Sequence, residues 1–325
     1  MHEWGLGLDR AWRRDARWLV LLQPLAAIFR LATGLRRAGY RFGIFRVYRA
    51  PVPLIVVGNI TVGGTGKTPV VVALVQALSR YGLRPGVVSR GYGARAGNEP
   101  HVVGLDSAVG DCGEEALLIR RRTGCPCVTG ADRAAAVRKL LAVAAVDIVI
   151  SDDGLQHYAI ARDMEIVLFD IYRGFGNGRL LPAGPLREPL SRLSRAACVL
   201  SRGIDERADV PLRAECLVSL ETGREVAFCP AENLSNVYAV AGIGSPEGFL
   251  ECLRGAGFRA QPQLFPDHHT YTSGDFARLQ DKPVIMTEKD AIKCVGLAGG
   301  NAWYLRVSAQ LPQSLVDDAI NLVTN

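Results

Sequence analysis

Short apolar runs recur along this chain at 54–57, 85–89, 148–151, 165–169 and 197–201, with segments of helical length between them. Runs without polar alternation are those of strands buried on both faces, and their alternation with helices predicts a doubly wound parallel sheet over 51–208. From about residue 209 the pattern changes. The stretch "PLRAECLVSLETGREVAFCP" alternates apolar and polar residues around Thr222-Gly223, which predicts a β-ribbon linker over 209–234. Beyond it, "NVYAVAGIG", "KPVIMTEKD" and "AWYLRVS" predict strands of a second, smaller α/β domain over 235–325.

Residues 1–50 follow a different period. Trp18, Leu21, Leu22, Leu25, Ile28, Phe29, Ala32 and Leu35 recur at helical spacing and predict an amphipathic helix from about 10 to 38. Arg10, Arg13, Arg14 and Arg17 precede the stripe, and Arg36, Arg37 and Arg41 follow it. Trp12, Trp18 and Tyr40 stand near its ends, where amphipathic rings favour a headgroup boundary. Only twelve uncharged residues, Pro24 among them, lie between Arg17 and Arg30, so a bilayer-spanning helix is not expected. No cleavage site follows the apolar run, so no signal peptide is expected either.

Charge sharpens this picture. The whole chain carries +6, but residues 1–50 hold ten arginines against Glu3, Asp9 and Asp15, which is +7, and leaves −1 for the remainder. Basic residues that flank an apolar run suit a membrane surface. A nucleic-acid binder would spread them over the folded domain, and no nucleic-acid partner is expected. With 49% hydrophobic and 22% charged residues, 325 residues can bury a sizeable core. The eight cysteines contain no paired C-x-x-C, so they are expected to be reduced, mostly buried side chains.

The strongest local signal is "NITVGGTGKTPVVVALVQAL", which follows the apolar run "PLIVVG". It has the strand, glycine-rich turn and helix of a phosphate-binding loop, with Thr61 where the leading glycine of G-x-x-x-x-G-K-[ST] usually stands. Backbone N–H groups of Thr61, Val62, Gly63, Gly64, Thr65 and Gly66 would cradle phosphates, Lys67 would reach the outer ones, and the Thr68 hydroxyl would meet Mg2+. The strand "IVIS" ends in Asp152-Asp153; carboxylates so placed downstream of a phosphate loop are the expected partners of Mg2+. Arg90 and Tyr92 follow another strand end, where ligands bind in open α/β sheets. His157 reads either as a substrate contact or as a turn cap.

Together these stretches resemble the tetraacyldisaccharide 4'-kinase family. The resemblance rests on "GNITVGGTGKTP", "SDDGLQH", "FDIYRGFGNGRLLPAGPLREP", "AGIGSPEGF", "FPDHHTY" and "MTEKDAIKC", which run from residue 58 to 294. Thr61 in the loop is itself a habit of that family. The resemblance implies a P-loop NTPase fold, ATP and Mg2+ as cofactors, and an acylated glucosamine disaccharide phosphate as acceptor. It also implies residence at the cytoplasmic face of the inner membrane of a Gram-negative bacterium, peripheral or monotopic, with no obligate protein partner. It implies a catalytic dyad of an acidic residue and a histidine. The histidine maps to His268, with His269 the less favoured choice. The acidic member maps to Asp111 if the motif "GDE" is matched from the left of "VGDCGEEALLIRRR", or to Glu114 if the helix sets the register. Asp111 is slightly favoured because it keeps the residue type. Asn177, Arg187 and Glu188 match positions expected to form the sugar pocket. Since Lys67 and His268 come from different halves, the site is expected in a cleft whose closure accompanies catalysis. The competing reading is a membrane-associated P-loop ATPase that couples hydrolysis to partner binding.

Overall fold

The computed structural model describes residues 8, 11–12, 14–63, 66–95, 99–230 and 235–324. Gly64 and Thr65 of the phosphate loop, together with Glu3, Asp9, Arg10 and Arg13, lie outside the described residues.

Thirteen strands form one sheet: β1 (Leu54–Gly58), β2 (Pro85–Ser89), β3 (His101–Val102), β4 (Cys127–Thr129), β5 (Ile148–Asp152), β6 (Met164–Asp170), β7 (Cys198–Gly203), β8 (Val210–Ser219), β9 (Glu225–Ala227), β10 (Asn236–Ala241), β11 (Arg259–Leu264), β12 (Val284–Thr287) and β13 (Ala302–Ala309). Their order is β11-β10-β12-β13-β8-β7-β6-β1-β5-β2-β4-β3, with β9 beside β8. Around β1 the pairing is parallel to both β5 and β6. The apolar runs explain why. Ile55 and Val57 point into one core with Ile148 and Ile150, whereas Leu54 and Val56 point into the opposite core with Val149. Such strands need cover on both faces. Helices α1 (Gln23–Arg41), α2 (Lys67–Arg80), α3 (Glu114–Thr123), α4 (Arg133–Val143), α5 (Glu247–Gly255), α6 (Glu288–Cys294) and α7 (Gln313–Thr324) are joined by shorter turns. Residues of α2, α3 and α7 line the first core, and those of α4 the second.

Strand β8 joins the two parts of the sheet. Val210 and Pro211 pair parallel with Arg202 and Gly203 of β7, and from Leu212 onward β8 runs antiparallel to β13. Thr222-Gly223 turns the chain into β9, with Gly223 at φ +70°. The C-terminal strands repeat the two-faced rule: Val284 and Met286 enter one core and Ile285 the other.

The N-terminal segment departs from its sequence reading in two respects. Arg17–Leu22 is a 3-10 helix, and the α-helix proper begins at Gln23 with Pro24 in its first turn. Proline's fixed φ and missing N–H are tolerated there, so Pro24 starts the helix and does not interrupt it. Trp12 is also no headgroup anchor: it is buried, and its Nε1 donates to Pro182 O at 3.0 Å. Most of the stripe faces outward, with Leu21 78%, Ile28 64% and Leu35 63% exposed, while Leu22 and Phe29 are half-buried. The continuous helical run Arg17–Arg41 is 25 residues long and meets the length and hydropathy of a membrane span, although Arg30 lies exposed within it.

All eight cysteines are free.

Candidate active site

The carboxyl ends of β1, β2, β5, β6 and β7 open on the same edge of the sheet, and the polar residues the sequence singles out lie at or just beyond them. After β1, Asn59 and Ile60 lead to Thr61, which forms an antiparallel bridge with Leu186 and lacks a positive φ. Glycine is therefore not required there. Among the described residues of the loop, the left-handed positions fall at Gly63 (φ +90°) and Gly66 (φ +59°). Gly66 has a second reason to lack a side chain: a Cβ would lie 2.8 Å from Cζ of Arg202. Arg202 is held by Asp170 at 2.8 Å.

Lys67 begins α2 and is buried, with Nζ donating to Asn59 Oδ1 at 3.4 Å and 3.3 Å from Asp153 Oδ1. Asn59 in turn donates to the Thr61 hydroxyl at 3.2 Å. Asp152 ends β5 fully buried, and neither of its carboxylate oxygens has a hydrogen-bond partner among the described residues. Burial, reinforced by Glu115, pushes its carboxyl up to about 7 against the pull of Lys67. An anion in such a place calls for a cation. Asp153 takes φ +49° and lies 3.5 Å from Arg187. Burial opposes its ionisation, but Lys67 and Arg187 outweigh that and lower its carboxyl. Asp152, Asp153 and the buried Thr68 hydroxyl supply hard oxygen donors beside a phosphate loop, which fits Mg2+ completed by phosphate and water oxygens.

Arg133, which the sequence reading did not single out, lies buried at the start of α4, with Nε and Nη2 unpartnered among the described residues. Burial lowers its value to about 10, opposed by Asp152 and Asp153. His157 is lowered to about 4, first by burial and then by Arg133 and Arg90. Arg90 is exposed at the end of β2.

The loop after β6 is tied by its own polar residues. Asn177 donates to Ala183 O at 2.9 Å and accepts from Arg179 N, which shapes the loop. Glu188 is buried, accepts from Gln156 at 3.1 Å and from the Tyr158 hydroxyl, and pairs with Arg37 of α1 at 3.5 Å. Arg187 alone of the three reaches toward Asp153.

Gly66, Thr68 and Pro69 on one side and Gly244, Phe249, Asp267 and Lys289 on the other bound a cleft of about 260 Å3, and His268 follows Asp267 at its edge. Its Nδ1 is 2.5 Å from Glu114 Oε1, its ring lies 4.5 Å from that of Tyr92, and its backbone takes φ +61°. His269 instead lies 3.4 Å from Asp275 and packs on Phe265. The acidic residue brought to His268 is thus Glu114, and Asp111 is not brought there. Asp111 sits exposed in a separate turn, Val109–Cys112. Gly113, at φ +83°, breaks that turn from α3 and packs so closely on the Tyr92 loop that a Cβ would lie 2.7 Å from Tyr92 O. Helical register, not residue type, identifies the carboxylate. Burial raises the Glu114 carboxyl, but His268, Lys289 and Lys293 overcome it and leave it lowered to about 2.

A glycine loop between a buried strand and a helix, its lysine among carboxylates, and a histidine–carboxylate pair across a cleft define a P-loop kinase. The family described as Tetraacyldisaccharide-1-P 4'-kinase matches residues 18–324, and the chain belongs to that family. Among its relatives, Tetraacyldisaccharide 4'-kinase of Aeromonas hydrophila is 46% identical over 97% of this chain and 95% of its own length. That of Alkalilimnicola ehrlichii is 48% identical over 92% of this chain and 91% of its own. A crystal structure of LpxK from Aquifex aeolicus in complex with ATP superposes with a TM-score of 0.77 at 27% identity, covering 94% of this chain and 99% of that one.

Proposed function

We propose that this chain transfers the γ-phosphate of ATP to the 4'-hydroxyl of a tetraacylated glucosamine disaccharide 1-phosphate, giving the lipid IVA-type precursor of lipid A. The observation that carries the reading is the contact of His268 with Glu114 beside the cleft that also reaches the phosphate loop. Phosphoryl transfer is mainly positioning and charge neutralisation. Lys67 and the loop N–H groups hold the phosphates. Thr68, Asp152 and Asp153 would hold Mg2+, which neutralises phosphate charge when bound. The Glu114 carboxylate beside Nδ1 favours the proton there, the tautomer in which Nε2 of His268 carries the lone pair, so that Nε2 takes the proton of the acceptor hydroxyl. Arg187, Tyr92, Arg90 and His157 line the approach of the sugar, with Asn177 and Glu188 holding the loop. Residues 51–208 act as the kinase core, 209–234 as linker and 235–325 as the smaller domain, and closure of their cleft brings His268 to the phosphate.

The exposed apolar face of α1 and its arginines support attachment to an anionic membrane surface, in this reading the cytoplasmic face of the inner membrane, where such an acceptor is held. The test is transfer of labelled γ-phosphate from ATP to the disaccharide 1-phosphate in detergent micelles by wild type, Lys67→Ala and His268→Ala. Labelled lipid with wild type and its loss in both variants is the expected result. ATP hydrolysis without labelled lipid, indifferent to His268→Ala, would replace this reading with a membrane-associated ATPase.

A further inference from the structure

The Glu114 carboxylate meets more than a histidine. Lys289 Nζ lies 2.9 Å from its Oε1 and Lys293 Nζ 3.1 Å from its Oε2. Both lysines come from one short helix, α6, at positions four apart, which places them on the same face toward α3. Neither Glu114 Oε1 nor Lys293 Nζ has an aligned hydrogen-bond partner, so these are approaches of charge to charge. Around them stand Asp267, 3.5 Å from Lys289 and 3.8 Å from His268 Nε2; Glu115, 3.5 Å from Lys289; and Asp290, 3.0 Å from Lys293. The Tyr92 ring packs at a tilt of 45° against His268, and the Tyr271 ring lies beneath Lys293. The N-terminus of α6 is fixed in turn by Glu288, whose carboxylate takes Arg122 of α3 at 2.7 Å.

A carboxylate that faces an imidazole alone makes it more basic. One that shares its charge with two ammonium groups does so far less. We infer that Lys289 and Lys293 are positioning residues that set the working pH of the His268–Glu114 pair by sharing the carboxylate's charge. This rests on the reading of His268 as base. In this role the lysines act through Glu114, although Lys289 also lines the cleft.

The magnitude follows from distance. A unit charge removed roughly 5 Å from the imidazole, at an effective dielectric of about 20, moves an apparent titration by about two pH units, and screening by solvent and salt at the cleft reduces this to about one. The sign is upward, because the surroundings become more negative and favour the imidazolium. The experiment is the pH dependence of kcat, in micelles at saturating ATP and lipid, for full-length wild type, Lys289→Met, Lys293→Met, Lys289→Arg and His268→Gln. The expected result is an acid limb in wild type that shifts up by about one pH unit in each Met variant, so that rate falls about tenfold on the acid side and recovers at high pH. Lys289→Arg restores the wild-type limb. A Met variant that loses rate equally at every pH, with the limb in place, overturns the inference by showing the lysines to be merely structural. A wild-type profile without the limb, or one that His268→Gln retains, overturns the base reading and the inference with it.

Discussion

Thr61→Gly would give the phosphate loop the leading glycine that most such loops carry, and the structure says it should weaken the protein. Thr61 is buried, extended and bridged to Leu186, and its hydroxyl accepts from Asn59, whose Oδ1 receives Lys67. The substitution removes a buried hydrogen bond, worth about 1 kcal/mol. It removes a buried methyl, worth about 0.8 kcal/mol. It also frees the unfolded backbone at a site with no positive φ, for about 0.4–1 kcal/mol. The sum is roughly 2–3 kcal/mol, about 0.5–1 M in urea midpoint for a chain of this size. Urea unfolding in non-ionic micelles, followed by tryptophan fluorescence, measures it. Because Asn59 loses the group that orients it toward Lys67, KM for ATP should also rise by a few fold. An unchanged or higher midpoint would refute the reasoning, since it would mean that Thr61 occupies a glycine's place without contributing the contacts assigned to it.

Glu114→Gln should lower kcat by about 100-fold or more, because an amide turned to offer N–H would favour the wrong imidazole tautomer, whereas Asp111→Asn should change it by less than about threefold; kcat/KM for lipid phosphorylation distinguishes the two. His157 is held near 4 in the fold against an ordinary value of about 6.5. The unfolded chain therefore binds more protons between these values, and stability should fall as pH drops from about 6.5 to about 4, a dependence that His157→Asn flattens in urea midpoints taken across that range. Replacing Leu25, Ile28, Leu31 and Leu35 together by serine should reduce co-sedimentation with anionic vesicles more than about 100-fold. The urea midpoint should move little, because these side chains are 54%, 64%, 64% and 63% exposed.

The sheet was legible because strands buried on both faces have no alternative to continuous apolar runs, and the phosphate loop because its glycines, lysine and threonine are contiguous. The acidic partner of His268 was harder. Asp111 matches by letter, but Gly113 restarts the backbone at φ +83°, so only residues after it share the direction of α3. Helical register was the usable signal, and it pointed to Glu114. Lys289 and Lys293 carry a weaker one, an i,i+4 pair of cations in "EKDAIK", which has meaning only once α6 is known to face α3. Arg133 and Arg202 had none, since a buried arginine is recognised by tertiary neighbours alone. The start of α1 lies later than the apolar period implies because Pro24 occupies its first turn, after a separate 3-10 segment.

The exposed N-terminal helix is no detachable handle. Leu19 packs against Val62 of the phosphate loop and Leu181 of the loop after β6, Arg37 reaches Glu188, and the Tyr40 ring lies 6.1 Å from that of Tyr158. A truncation made to obtain a detergent-free sample would therefore uncover Val62 and take one cation from Glu188. Its inactivity would report a damaged pocket wall as readily as a missing bilayer. Surface substitutions on the outward face, which leave Leu19, Arg37 and Tyr40 in place, are the means of separating the protein from the membrane while keeping its catalytic centre whole.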